Sequence, residues 1–267
     1  MIQTPAAGRG AVWLGGVLVF LFSLTPLVAW LGPLGFAPLA AVCGLAAVWA
    51  LRIGQADRPA AIAILVMVCW AVVSVVWSPY QPAKLGNSSA AKLTAEAVLY
   101  WAMFRAAAGA APASRALALK VLAWGLAAYG ALLMVEAASG ALIYRSLRQA
   151  IGDPIRPDLA IKNVAQGAFV LAVLAPAGAL AGWRTGGGAW PGLLIGAGVI
   201  AATLGLAADA PTLALVAGLL AGAAAYAWPK AAPRVLAAGA AAYFLAMPWA
   251  LAAGWKSGLL QQVEARV

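Results

Sequence analysis

Residues 141–183 read ALIYRSLRQAIGDPIRPDLAIKN and then, without a break, VAQGAFVLAVLAPAGALAGW. The second part is a run of twenty uncharged residues, the length a helix needs to cross about 30 Å of hydrocarbon at about 1.5 Å per residue. The first part crowds Arg145, Arg148, Arg156 and Lys162 into one segment, with Asp153 and Asp158 among them and Asn163 at the mouth of the apolar run. A charged loop feeding a membrane-length apolar run decides the fold class: the chain crosses a bilayer, and this loop lies at its surface.

The same pattern extends outward along the chain. Its 267 residues are 65% hydrophobic and only 9% charged, and a mean hydropathy of +0.95 sets it apart from soluble domains. Apolar stretches of spanning length fall near 11–31, 34–52, 59–77, 90–111, 115–138, 163–183, 189–208, 211–228 and 235–255. These predict an all-α, polytopic transmembrane helix bundle of about nine spans, one helical domain over 1–267 with an outside loop at 139–162. Lys92, Glu96 and Arg105 interrupt the fourth span. Ionisable groups at that depth must face protein or water, which places this helix inside the bundle. Pro33, Pro59, Pro79, Pro191, Pro211 and Pro229 fall at connections, where a missing backbone donor costs least. The run Ala11 to Leu31 is too long for a signal-peptide core and reads as an uncleaved first span.

Charge asymmetry orients the chain. A cytoplasmic N-terminus assigns Arg9, Arg52, Arg58, Arg105, Arg115, Lys120, Arg184, Lys230 and Arg234 to the inside, while the short outside loops at 32–33 and 209–210 hold no basic residue. Trp13, Trp30, Trp49, Trp77, Trp183, Trp190, Trp228 and Trp255 lie at span ends, where an amphipathic ring prefers the headgroup level. In this arrangement the 139–162 loop and the tail from Lys256 fall outside. The formal net charge is +10, yet no basic run with interleaved aromatics could track a phosphate backbone, so no nucleic-acid partner is expected. Cys43 and Cys69 sit in apolar runs, and there is no histidine, which argues against a disulfide framework or a zinc site. Glycines four apart, at 178 and 182, 192 and 196, and 218 and 222, predict close helix packing.

The usual catalytic signatures are missing: the sequence has no P-loop, no GxSxG elbow and no HExxH. What remains is anion recognition, with no metal or cofactor invoked. A short interfacial helix is expected where Leu142, Ile143, Leu147 and Ile151 share one face and Arg145, Arg148 and Gln149 point away. Pro154 and Pro157 stiffen the descent into the sixth span, and Asn163 is expected to cap it, at a dipole end that favours phosphate. The arginine fork binds phosphate oxygens in pairs. Arg156 and Asn163 are thus placed for a phosphate at the surface, with Arg145, Arg148 and Lys162 in the same segment. A plainer alternative stays open, in which Arg145 and Arg148 contact anionic membrane lipid and Arg156 pairs with Asp153 or Asp158. Glu96 and Glu136 read as satisfied bundle carboxylates, and Asp209 as a cap of the eighth span.

Four segments carry a family resemblance: VVSVVWSPYQPAKL at 72–85, RPDLAIKNVAQGAFVLAVLAPAG at 156–178, LGLAADAPTLALVAGLLAG at 204–222 and QQVEAR at 261–266. Together they resemble the O-antigen ligases, integral-membrane enzymes grouped with the O-antigen polymerases. The resemblance implies a glycosyltransferase of lipopolysaccharide biosynthesis in the cell envelope. Such an enzyme sits in the bacterial inner membrane and moves a glycan from undecaprenyl diphosphate to lipid A-core or a similar acceptor. Arg156 and Asn163 look like the family's arginine and asparagine at the head of a span. Arg156, with Arg145, Arg148 and Lys162, would hold the diphosphate and stabilise its charge as it leaves. The chain departs from the pattern at Asp209, Ala210 and Pro211, where a Ser-Arg-like turn is expected. The resemblance covers the chain as the N-terminal part of a longer pattern, ending where a histidine-bearing outside loop would begin, so this part alone is expected to be inactive. A transporter subunit or a non-catalytic partner in polysaccharide export are the alternatives. The gathering of ionisable residues toward one surface favours an interfacial enzyme over the transporter.

Overall fold

A computed structural model describes residues 8–75, 88–206 and 208–232, together with 234–235, 238–239, 242–243, 246, 249, 253–254 and 257. The described residues form α-helices and short 3-10 turns, with no strand among them. The helices are α1 (Arg9–Leu31), α2 (Phe36–Ala46), α3 (Arg58–Ser74), α4 (Ser89–Gly109), α5 (Pro112–Ser139), α6 (Leu142–Ala150), α7 (Pro157–Arg184), α8 (Trp190–Leu206) and α9 (Ala210–Ala227). By length and composition, five helical segments could cross a membrane: Arg9–Leu31, Gln55–Ser74, Pro112–Ser139, Pro157–Arg184 and Ala210–Ala227. These make the chain a multi-pass membrane protein. The expected ninth span and the tail lie largely outside the described residues, as does most of the loop that follows α3.

Prolines start helices here. Pro112 and Pro157 occupy the first helical position of α5 and α7, where the missing N–H was unpaired anyway. Pro59, Pro191 and Pro211 stand in the first turns of α3, α8 and α9. Ser88 caps α4, its side chain accepting from the Ala91 amide.

Two expectations change. The second span does not run unbroken over 34–52: α2 is only 11 residues long and is flanked by 3-10 turns at Pro33–Gly35 and Val48–Ala50. Its end is fixed from outside, because the Trp13 indole donates to the Ala46 carbonyl at 2.9 Å and occupies an acceptor at the helix terminus. The sixth span begins at Pro157, not near Asn163, and its N-cap is Arg156 with an extended backbone and no side-chain cap.

The contacts divide the chain into two units, 1–215 and 216–267. In the first unit, α5, α7 and α8 share a core of Leu126, Leu133, Leu171, Ile195 and Val199, while α1, α2 and α4 share Leu18, Leu39, Cys43, Met103 and Ala106. Within a bilayer such cores gain little from the hydrophobic effect, since lipid tails are equally apolar, so close packing has to hold them. Glycine supplies it at the crossing of α5 and α8. A Cβ on Gly130 would stand 2.3 Å from the Leu194 carbonyl oxygen, and one on Gly198 would stand 2.5 Å from Gly130. Gly182 lies against Pro191 in the same way, whereas Gly196 faces nothing within 4 Å. Four-residue spacing therefore picks out one packing glycine in the 192 and 196 pair, where a Cβ on Gly192 would stand 3.0 Å from the Ala179 side chain.

Helix directions alternate. The Ala111 amide donates to the Ala11 carbonyl, joining the starts of α1 and α5, and the Trp30 indole reaches Glu136 near their ends. Gly167, ten residues into α7, lies beside the Ala29 carbonyl, so α7 runs the other way. Arg105 near the end of α4 pairs with Asp57 before α3. Arg52, Arg58, Arg105, Arg115 and Arg184 thus gather at one end of the first unit, and Arg145, Arg148, Arg156 and Lys162 at the other. Of the ionisable groups in α4, Arg105 is half-buried against protein as expected, but Lys92 is exposed.

Candidate functional site

The second end is organised around a buried carboxylate. Glu136, in the last turn of α5, is 0% exposed. Immediately after it the chain reverses through two left-handed residues, Gly140 at φ 65° and Ala141 at φ 61°. Glycine takes that conformation freely, but for alanine it costs about 1–2 kcal/mol. The turn is offset by what it delivers: the Ala141 amide bonds the Glu136 carbonyl at 2.8 Å, and the first amides of α6 swing over the Glu136 side chain. Oε1 accepts from the Tyr144 amide at 2.8 Å, and Oε2 accepts from the Ile143 amide at 3.2 Å. A carboxylate from one helix thereby caps the N-terminus of the next, where the dipole favours negative charge. The third donor is the Trp30 indole of α1, 3.0 Å from Oε1. Glu136 is the satisfied bundle carboxylate that the sequence suggested.

Tyr144 carries the network onward. Its ring is 1% exposed and meets Trp30 edge to face, with centroids 6.0 Å apart. Its hydroxyl donates to the Leu31 carbonyl at 3.4 Å and accepts from the Asn163 side-chain amide at 3.2 Å. Asn163 therefore does not cap α7, because it lies six residues beyond the first turn's start; it ties α7 to α6 through Tyr144. Trp30, Glu136, Tyr144 and Asn163 together fasten α1, α5, α6 and α7 at one level.

On this platform the four predicted cations take different positions. Arg148 is closed on Asp153, through a side-chain ion pair and a 3.2 Å bond from Nε to the Asp153 carbonyl. Arg156 makes a two-pronged pair with Asp158 at 2.8 and 3.1 Å, as the plainer alternative had it. Arg145 and Lys162 have no hydrogen-bond or ion-pair partner among the described residues. Arg145 is half-buried and Lys162 is exposed. Asp158 also supplies the acid of the first turn of α7, so that dipole end is already served. The Arg156 side chain in its pair is 77% exposed. Such a pair is worth at most about 1 kcal/mol in water, and an incoming phosphate can exchange with the aspartate.

The apolar side of α6 faces outward. Leu142, Ile143 and Ile151 are 53%, 38% and 64% exposed, while Tyr144 makes the docking contact. An apolar outer face beside Arg145 is the pattern expected of a helix lying in a headgroup layer. Searches of protein-family models, curated proteins and solved structures find no match to this chain. Among the described residues no group of three or more Cys, Asp or Glu could hold a metal ion.

The sequence pointed to the cations and to α6 but missed Trp30 and Tyr144. Trp30 was visible only as an interfacial aromatic. A weak signal did exist: a lone glutamate shortly before a Ser-Gly turn and an amphipathic segment is where a cap supplied from the preceding helix would be sought. Arg145 and Lys162 bring positive charge to this surface, and the 267 residues include no histidine.

Proposed function

We propose that this chain binds an undecaprenyl-diphosphate-linked glycan at the surface formed by α6 and the start of α7. It would do so as the membrane-embedded part of an O-antigen ligase-like glycosyltransferase in the bacterial inner membrane. The acceptor is lipid A-core or a similar glycan acceptor, and the N-terminus lies in the cytoplasm. The observation that carries this reading is Arg145 and Lys162, two cations without a partner among the described residues, on a helix platform fastened by Glu136 and Tyr144. A diphosphate at the membrane surface presents the charge these two lack. Arg156 adds a fork once released from Asp158, and Arg148 holds the connection between α6 and α7 in shape. The lipid tail runs along the outward apolar residues of α6.

Binding of undecaprenyl diphosphate and of uncharged undecaprenol to the full chain in nanodiscs tests this. The diphosphate is expected to bind at least about tenfold more tightly, with Arg145→Ala plus Lys162→Ala removing most of that difference. Equal binding of the two lipids, or an unaffected double variant, would overturn the reading. The absence of histidine from the 267 residues favours one second reading, a non-catalytic partner in polysaccharide export that holds the same lipid. Binding without glycan transfer, measured with the longest gene product, would favour that partner.

A further inference from the structure

We infer that the seam between α3 and α4 holds an anionic phospholipid, with one acyl chain in the groove and the headgroup phosphate on Arg52 and Arg58. The site is at the opposite end of the first unit from α6 and does not rest on the proposed function. None of the residues of α3 is buried, and α4 is the helix it packs on. Beside this seam lies a cavity of about 540 Å³, walled by Ile62, Leu65, Val68, Val98 and the Trp101 ring, with Arg52 and Arg58 at one end. From Arg58 to Val68 the wall is about 15 Å long. Thr94 brings a hydroxyl to the wall, but that group already bonds the Ala90 carbonyl at 2.8 Å. The slot is thus apolar along its length and cationic at its mouth.

The charge at the mouth is uncompensated. Asp57 is the acid that could neutralise these arginines, but it is held by Arg105 at 2.6 Å and by the Gly54 amide at 3.3 Å. The Trp101 indole donates to the Arg52 carbonyl at 3.1 Å and fixes the backbone there. Neither Arg52 nor Arg58 has a side-chain partner among the described residues. In a bilayer, burying an acyl chain against protein brings little selectivity, because the surrounding lipid is as apolar as the wall. The headgroup must decide, and a basic pocket between membrane helices selects an anionic one. A second groove of about 390 Å³ along the same two helices, lined by Met67, Glu96, Tyr100 and Phe104, serves as the contrast: it has no cation and should show no such preference.

Native mass spectrometry of the full chain with phosphatidylglycerol and with phosphatidylcholine of matched chains tests the inference. Phosphatidylglycerol is expected to be retained preferentially, and Arg52→Ala plus Arg58→Ala should cut its affinity by about fivefold per arginine. Arg52→Lys plus Arg58→Lys should keep most of it. Ala61→Trp, which fills the slot without touching the charge, should weaken binding while the helical circular-dichroism signal is unchanged. Equal retention of the two lipids, or full phosphatidylglycerol binding by the double alanine variant, would overturn the assignment. So would displacement of the lipid by millimolar inorganic phosphate, which would show that the arginines bind phosphate without a chain.

Discussion

Replacing Glu136 by alanine would leave the Trp30 indole and the Ile143 and Tyr144 amides without their acceptor, in a place that water reaches poorly. Each buried donor left unpaired costs about 1–3 kcal/mol. Glu136→Ala is therefore expected to lower stability by at least about 2 kcal/mol, read as a drop in Tm in detergent. Glu136→Gln keeps one acceptor oxygen and should cost roughly half as much. If the two variants melt alike, the cap does not hold α6. At the same scale, Asp158→Ala removes the partner of an exposed Arg156. It should change stability by less than about 1 kcal/mol and should tighten undecaprenyl diphosphate binding, because Arg156 is then free. Weaker binding in that variant would place Asp158 itself at the ligand.

For the elements, the decisive contacts are backbone to backbone. Gly130→Ala would drive a methyl group to 2.3 Å from the Leu194 carbonyl oxygen, which the α5 and α8 backbones can relieve only by separating. A loss of about 1–3 kcal/mol is expected, the usual range for overpacking. Gly196→Ala, on α8, meets nothing within 4 Å, and should be neutral or stabilising by about 0.5–1 kcal/mol through its helix propensity. Thermal melts of the two variants side by side check both, and equal costs would contradict the described crossing. The four-residue spacing alone could not separate Gly192 from Gly196, because which face of a helix meets its neighbour is a property of the pair. The same limit explains α2: hydropathy continues past Ala46, but the helix ends where the Trp13 indole takes its carbonyl. Helix starts were more legible where local chemistry sets them. Arg9–Leu31 lies within two residues of the expected span, and α6 was foreseen from its two faces. For α7, counting apolar residues from Asn163 overrode a better signal, proline at the first helical position followed by an acid. Helices do not stop at the edge of the hydrocarbon.

At the scale of the whole molecule, alternating helix directions put Gln55 and Ser146 at opposite ends of the first unit, since Arg105 and Asp57 join one end and Trp30 and Glu136 the other. Both residues are exposed. With Cys69 replaced by serine, a cysteine at 146 should react with an impermeant maleimide in intact spheroplasts, and one at 55 only after the membrane is opened. Reaction of both from one side would contradict the alternation. All-helical membrane architecture was readable from composition because a bilayer admits few other solutions. The network under the candidate site was not, since Trp30 and Glu136 stand 106 positions apart and no local pattern links them. We propose that α6 and the start of α7 receive a lipid-linked diphosphate. The most direct measurement is photocrosslinking in native membranes with a photoactivatable undecaprenyl diphosphate, mapped by peptide mass spectrometry. The account predicts labelling concentrated in residues 142–163 that unlabelled undecaprenyl diphosphate suppresses; labelling elsewhere in the chain, or labelling that competitor leaves intact, would contradict it.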